Sequence, residues 1–424
     1  MKRKFPLILG CVLAEIALLV VLYGCSKKKD NNPRTSTYTI YRPSYAPAAT
    51  VLARINGNPA EHIDSTGKIY IKDQYIYLNE PNKGIFVIDN SNPYKPKQIA
   101  FLNIPGNLDM AIKGNILYAD LFNNLVALDI SDPRHAKVVD TVLNFFFGRY
   151  YTYGINPKDS MLVSLNPKDT TVTYIVPGGM NPGGPVFFAA ANNSASQSAS
   201  SSGTGGSMAA MVLMNNYIYA ITERHSLGVL DISSATTPKV VNNGYVSGLY
   251  DLETIYPFQD KLFLGSQEGV YIFSLNDPAV PTKTGQFSHG RSCDPVVADN
   301  TGHAYVTLHA GTSCGGAANE LDVLDVKDPM NASLVRTYPL TSPKGLAKDG
   351  NTLFVCDGSN GVKVFNAQDP ANLKQTEKLE TAQAYDVIAG NNHLLVVTKG
   401  GLLQYDYSNP NSLKLMSVFH TSPF

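Results

Sequence analysis

The nine residues from Leu125 to Pro133, Leu-Val-Ala-Leu-Asp-Ile-Ser-Asp-Pro, constrain this chain more than any other stretch. Apolar side chains occupy both alternating faces, Leu125 and Ala127 on one, Val126, Leu128 and Ile130 on the other. A strand that is apolar on both faces has to be covered on both. Asp129 ends the strand and opens a turn, because its carboxylate can accept hydrogen bonds from the amides just ahead. Pro133 then fixes φ for the exit. The phrase recurs from Asp89 to Pro93, Ser274 to Pro278, Asp325 to Pro329, Asn366 to Pro370 and Asp406 to Pro410, and more loosely from Asp231 to Pro238.

Successive copies stand 40 to 51 residues apart, with one gap of 102. That gap holds one further repeat and an insertion of about 60 residues. Such a period suits helical arrays or propeller blades, and no sustained run has apolar residues at helical spacing. Each unit reads instead as four short strands. In the second unit they fall at 108–112, 116–121, 125–130 and 137–142, with a Gly114-Asn115 turn between the first two. The expected fold is all-β, a seven-bladed β-propeller of four-stranded antiparallel blades within residues 59–424, with an insertion at 144–207. Blades are expected at 67–104, 108–143, 209–241, 254–287, 296–338, 346–379 and 387–419. The insertion predicts extra strands such as 161–165 and 171–175, then a Ser-, Ala-, Asn- and Gly-rich stretch, 189–206, that reads as mobile. Residues 33–58 are expected to add an outer strand or to pack where the first and last blades meet. Closure of the ring by strand exchange is left open.

The phrase Gly-Ile-Phe-Val-Ile-Asp-Asn-Ser-Asn-Pro from Gly84 to Pro93, with its copies, resembles the LVIVD repeat of bacterial propeller lipoproteins. Ile104-Pro105-Gly106-Asn107, Gly205-Gly206-Ser207-Met208-Ala209 and Gly290-Arg291-Ser292-Cys293-Asp294-Pro295 are similar to that family as well. Ser274 and Asn366 stand where the repeat has Asp, and both can still accept a turn hydrogen bond. The resemblance implies a propeller and a lipid anchor. It implies no established reaction.

The N-terminus predicts export. Lys2-Arg3-Lys4 precedes a mostly apolar run that ends in Leu22-Tyr23-Gly24-Cys25, which resembles a lipobox. Residues 1–24 are then a lipoprotein signal peptide, Cys25 carries the lipid, and 25–58 form a polar tether and pre-blade segment. Tyr23 and Glu15 depart from the usual pattern, and the alternative is an uncleaved single-pass anchor. The expected address is an outer-membrane lipoprotein facing the periplasm or the cell surface. With 34 basic and 34 acidic residues and no basic cluster beyond the N-terminal runs Lys2-Arg3-Lys4 and Lys27-Lys28-Lys29, nucleic acid is not an expected partner. The absence of Trp disfavours Trp-docked quinoprotein propellers and Trp-Asp repeats.

Candidate sites gather on one rim, called the top, where each blade's fourth strand passes to the next blade. The insertion and the loop 309–320 both map there, as loops on a rigid scaffold that commonly carry function. Cys293 and Cys314 are expected to form a disulfide, since an exported chain meets oxidising conditions. Cys356 reads as a buried apolar residue. His289, Arg291 and His309 fall near the same rim and form a candidate anion- or proton-handling site. Aligning the blades puts Asp109, Glu253, Asp294 and Asp386 at equivalent places at the start of the innermost strand, with Lys68 and Gly345 there in blades one and six. Four carboxylates are thus expected at the channel mouth, as caps on backbone amides, as a cation site such as Ca2+, or in catalysis. Arg291 and Lys344 are the nearest basic residues in sequence. Gly205-Gly206 reads as a flexible approach to a strand.

The leading functional expectation is a lipid-anchored binding or scaffolding module, more a binder than an enzyme. Its top face would meet a protein or glycan partner, without a cofactor. One alternative is a hydrolase or lyase acting on a glycan or peptide at the channel mouth. Another is an accessory subunit of an outer-membrane assembly. A propeller hosts any of these.

Overall fold

The computed structural model describes residues 33–58, 62–153, 157–175, 204–289, 295–310 and 318–420. Cys25, Arg291, Cys293, Asp294 and Cys314 lie outside the described residues, as does most of 189–206. The chain divides into two compact units, residues 1–42 with 165–190 and residues 43–164 with 191–424. The smaller unit holds most of a two-stranded ribbon in which Pro33–Pro47 pairs with Ser160–Ile175. Thr39 Oγ1 donates to Asp169 Oδ1 across it at 2.7 Å. The insertion strands expected at 161–165 and 171–175 are therefore parts of one continuous strand.

The larger unit is a seven-bladed β-propeller, with blades at 69–103, 110–142, 211–245, 252–288, 296–339, 346–379 and 384–420. Each blade's four strands are contiguous in sequence, and the innermost strands touch one another around the ring. Strand three is covered on both faces as its pattern requires: Leu125, Val126, Ala127 and Leu128 are all buried. Strands three and four slip in register in every blade, for example between Val138 and Asp140. A bulge of this kind increases twist and spoils the outer edge as a template for foreign strands.

The repeated turn is built as its chemistry demands. In all seven blades the first residue of the phrase accepts from the amide two residues on. Asp89 accepts from Ser91 at 3.0 Å, Asp129 from Ser131 at 2.9 Å and Asp231 from Ser233 at 2.7 Å. Ser274 and Asn366, the two departures from Asp, do the same for Asn276 and Gln368. The remaining two are Asp325 with Lys327 and Asp406 with Ser408. A second such turn follows at once, with Asp132 accepting from the Arg134 amide at 3.0 Å and Asp328 from that of Met330 at 3.1 Å. Buried tyrosines tie these turns to the preceding blade. The Tyr118 hydroxyl donates to the Ala235 carbonyl at 2.6 Å, and that of Tyr219 to Pro278 at 2.9 Å. A ring that fills the core while its hydroxyl finds a turn carbonyl is a use to which Tyr is suited.

Ring closure needs no exchanged strand. Phe86, Ile88 and Phe101 of blade one pack with Ile388, Leu395 and Leu402 of blade seven. Asn90 and Gln404 exchange amide hydrogen bonds of 3.0 and 2.8 Å across the same seam. Blade one carries two extra strands. Gly57–Asn58 pairs outside Lys97–Asn103, and Thr204–Gly205 pairs inside Ile69–Lys72. Before the outer addition comes a short helix, Ala48–Ala53, whose Val51 packs with Ile55 among core residues of blades one and two, such as Leu102 and Ile130. The pre-blade segment thus braces blades one and two rather than the closing seam. Among the described residues no helix is long and apolar enough to cross a membrane.

Candidate functional site

The channel mouth is built from the starts of the innermost strands, and a segment of the chain itself crosses it. Thr204 and Gly205 pair with Ile71 and Tyr70 of blade one. Ser207 then reaches blades six and seven. Its amide donates to Asp386 Oδ1 at 3.2 Å, and its hydroxyl lies 3.4 Å from the same oxygen while accepting from the Leu346 amide at 2.5 Å. The Ala209 carbonyl accepts from the Ile255 amide of blade four at 2.5 Å. Finally the Ala210 and Met211 amides both donate to Asp109 Oδ2 of blade two at 2.8 Å. The Ala210 carbonyl also accepts from the Ile221 amide of blade three at 2.7 Å, so the segment bonds to six of the seven blades. Gly205-Gly206 is therefore no loose approach. A Cβ at Gly206 would come within 2.2 Å of Asp386 Oδ2, and one at Gly345 within 2.2 Å of Oδ1, so the carboxylate fits only because both residues are glycine.

Asp109 and Asp386 meet around this segment, with Lys68 as the cation. Lys68 Nζ donates to Asp109 Oδ2 at 2.5 Å, both side chains buried, and its charge also acts on Asp386. The basic neighbour was expected at Arg291 or Lys344. Lys68 fills the part because it holds the acid's own register in blade one and so stands in the same ring. Burial lowers the Lys68 pKa, and the Asp109 charge opposes that fall. Behind the pair Asp120 is buried. Its Oδ1 accepts from the Leu108 and Asp109 amides at 2.8 and 2.9 Å, and its Oδ2 from Arg149 Nη1 at 2.9 Å. Burial pushes Asp386 up to about 7; the Val387 and Ser207 amides and Lys68 only partly offset it. Asp386 Oδ2 has no hydrogen-bond partner.

Glu253 lies in the innermost strand of blade four, Leu252–Phe258. Its Oε1 accepts from Gln267 Nε2 at 2.9 Å, and burial pushes it up to about 7. Among the described residues no three His, Cys, Asp or Glu side chains are grouped to hold a metal. Cys356 is buried, free, and held well above its ordinary pKa by burial.

The two candidate histidines, His289 and His309, sit beside blade five. His289 lies within the electrostatic reach of Glu320 and Asp322, whose carboxyls burial pushes upward. His309 lies near Lys344 and Asn319, and burial lowers its pKa. A second top-face group had no sequence signal. His225, held by the Leu249 carbonyl at 3.0 Å, has Tyr250 edge-on at 5.8 Å and Tyr245 at 6.3 Å. Those tyrosines are 50% and 64% exposed, beside an Arg224–Asp251 ion pair of 2.7 Å. Single tyrosines in a Tyr-rich chain give no hint that they will share a rim.

The LVIVD repeat signature matches residues 65–100 and 108–143, which cover blades one and two, so the chain carries LVIVD repeats. No curated protein matches the sequence significantly. Among solved structures, Sqt1 of Saccharomyces cerevisiae aligns with a TM-score of 0.52 and 8% identity, over 86% of this chain and 90% of that one. The computationally designed Ika8 protein aligns with a TM-score of 0.51 and 9% identity, over 84% and 87%. At such identities the likeness is one of fold alone.

Proposed function

We propose that this LVIVD-repeat propeller is a lipid-anchored, extracytoplasmic binding or scaffolding module that meets a protein or glycan partner through its top-face loops. The observation that carries the reading is the filled channel mouth. A substrate approaching along the axis from the top meets main chain at 204–210, and the Asp109 carboxylate is already occupied by Lys68 and three amides. The exposed chemistry of that face lies further out, in Tyr245 and Tyr250 beside His225, while His289 and His309 are half-buried at blade five. Exposed Tyr on a rigid loop offers contact area at little entropic cost. Cys25 supplies the anchor, and the polar residues after it the tether.

Affinity capture of the tagged full chain from its native membranes tests this reading. A partner should co-purify with the wild type and fall at least about tenfold when Tyr245 and Tyr250 are changed together to Ala. Identical partner sets would overturn the top-face assignment. A partner that is itself an outer-membrane complex would make this chain an accessory subunit. Changing Cys25 to Ser should release the protein from membranes, and a mature chain that retains Met1 would contradict lipidation.

A further inference from the structure

The segment across the channel mouth is fastened differently at its two ends. At its downstream end, Asp109 accepts two consecutive amides, from Ala210 and Met211, and is neutralised by Lys68. That end runs directly into the innermost strand of blade three, Met211–Met214. At its upstream end the segment is held by two rungs to blade one and by Ser207, which bonds to Asp386 and accepts from the Leu346 amide of blade six. Only Oδ1 of Asp386 is bonded, to Val387 at 2.9 Å and to Ser207; Oδ2 is buried against Gly206 without a partner.

We propose that 204–208 is a releasable plug, latched by the neutral carboxyl of Asp386 and let go when that carboxyl ionises, with Ala209-Ala210 as the hinge. A neutral carboxyl leaves one oxygen bonded and one in a dry niche at moderate cost. An ionised one leaves a buried negative oxygen with nothing to meet it, which is far less tolerable. The titratable or charged groups facing Asp386 are Lys68 from blade one and Cys356 from blade six; behind Lys68 stand Asp109, Asp120 and Arg149. Lys68 cannot turn fully to Asp386 without deserting Asp109, which would move the unpaired charge rather than remove it. The way to hydrate Oδ2 is to lift Gly206 and Ser207. A strand of only two residues, Thr204–Gly205, followed by Gly206 makes that the cheapest part of the mouth to move. The carboxyl's upward shift to about 7 sets the range in which this happens.

Hydrogen–deuterium exchange of the full chain between pH 5.5 and 9 tests the latch, read on peptides covering 204–210 and corrected for intrinsic exchange. Protection of the Ser207 amide should fall by up to about tenfold per pH unit from pH 5.5 to about 7 in the wild type and level off above that, while blade-core amides stay constant. Asp386→Asn keeps an oxygen for Ser207 and Val387 but cannot ionise, so its protection should not change with pH. A wild-type profile that is flat, or one that Asp386→Asn leaves unchanged, would overturn the proposal. Should that variant fail to fold, the wild-type profile alone decides.

Discussion

Lys68 Nζ sits 2.5 Å from Asp109 Oδ2, joining the innermost strands of the first two blades by a buried ion pair. The two residues occupy the same place in consecutive repeats. One blade thus departs from the acidic pattern of its neighbour and neutralises it. Changing Lys68 to Met should cost roughly 3–5 kcal/mol, because it strands a buried carboxylate. Adding Asp109→Asn should restore part of that loss. Urea unfolding of the single and double variants measures both, and an additive double variant would mean the two groups are uncoupled.

The carboxyl of Asp386 predicts a pH dependence of unusual sign. Its folded pKa, about 7, lies above the unfolded value, so the folded state binds the extra proton in between. Stability should therefore fall as pH rises from about 4 to about 7, and the loss should be complete above that. Thermal unfolding of Asp386→Asn should gain on the wild type as pH rises through this window. A constant gap between pH 5 and pH 8 would speak against a shifted Asp386.

The turn acids run the other way. Asp89, Asp129, Asp231, Asp325 and Asp406 are all held below the usual carboxylate range by hydrogen bonds from the residue two positions on. Their stabilisation is present above an unfolded pKa near 4 and is lost as pH falls through the lower folded values. Each is only partly buried, so solvent screening keeps each contribution small. Asp129→Ala should cost about 0.5–1 kcal/mol and Asp129→Asn much less, since Asn can still accept from Ser131. Equal losses in the two variants, measured by chemical denaturation, would show that the charge rather than the turn hydrogen bond matters.

Gly269 begins the third strand of blade four with φ of +149°, and a Cβ there would lie 2.1 Å from the Phe287 carbonyl oxygen. Gly84 holds the same place in blade one, with φ of +153°. Gly269→Ala should destabilise by roughly 1–3 kcal/mol, through backbone strain and the clash with strand four. A neutral substitution in urea unfolding would show that this strand pair can part at no cost.

Cysteine chemistry separates two expectations. Cys356 is buried and should resist alkylation until the propeller unfolds. Cys293 and Cys314 should appear as one linked peptide when the exported protein is digested without reductant. Two alkylated peptides would exclude that bond.

The propeller was legible because its signal is repeated and local. Each third strand is apolar on both faces, and each turn needs an acceptor such as Asp129 in one place. The brace at Ala48–Ala53 was not legible, since six residues after Pro47 are too few to show a helical period. The crossing at 204–210 was hidden for a different reason. Its partners are backbone amides and carboxylates brought together from six blades, and Gly-Gly-Ser reads locally as a linker. Register did carry Asp109, Asp386 and Lys68 to one mouth. It could not reveal that Gly206 and Gly345 leave just enough room for Asp386.

The central claim, that partners meet the top face, is tested most directly by photo-cross-linking in native membranes. A cross-linking residue would be placed at Tyr250 or His289 on the top rim, and at Tyr94 or Met330 in the exposed turns of the opposite rim. The account predicts specific adducts from positions 250 and 289 and none from 94 and 330. Adducts formed only from the opposite rim would contradict it.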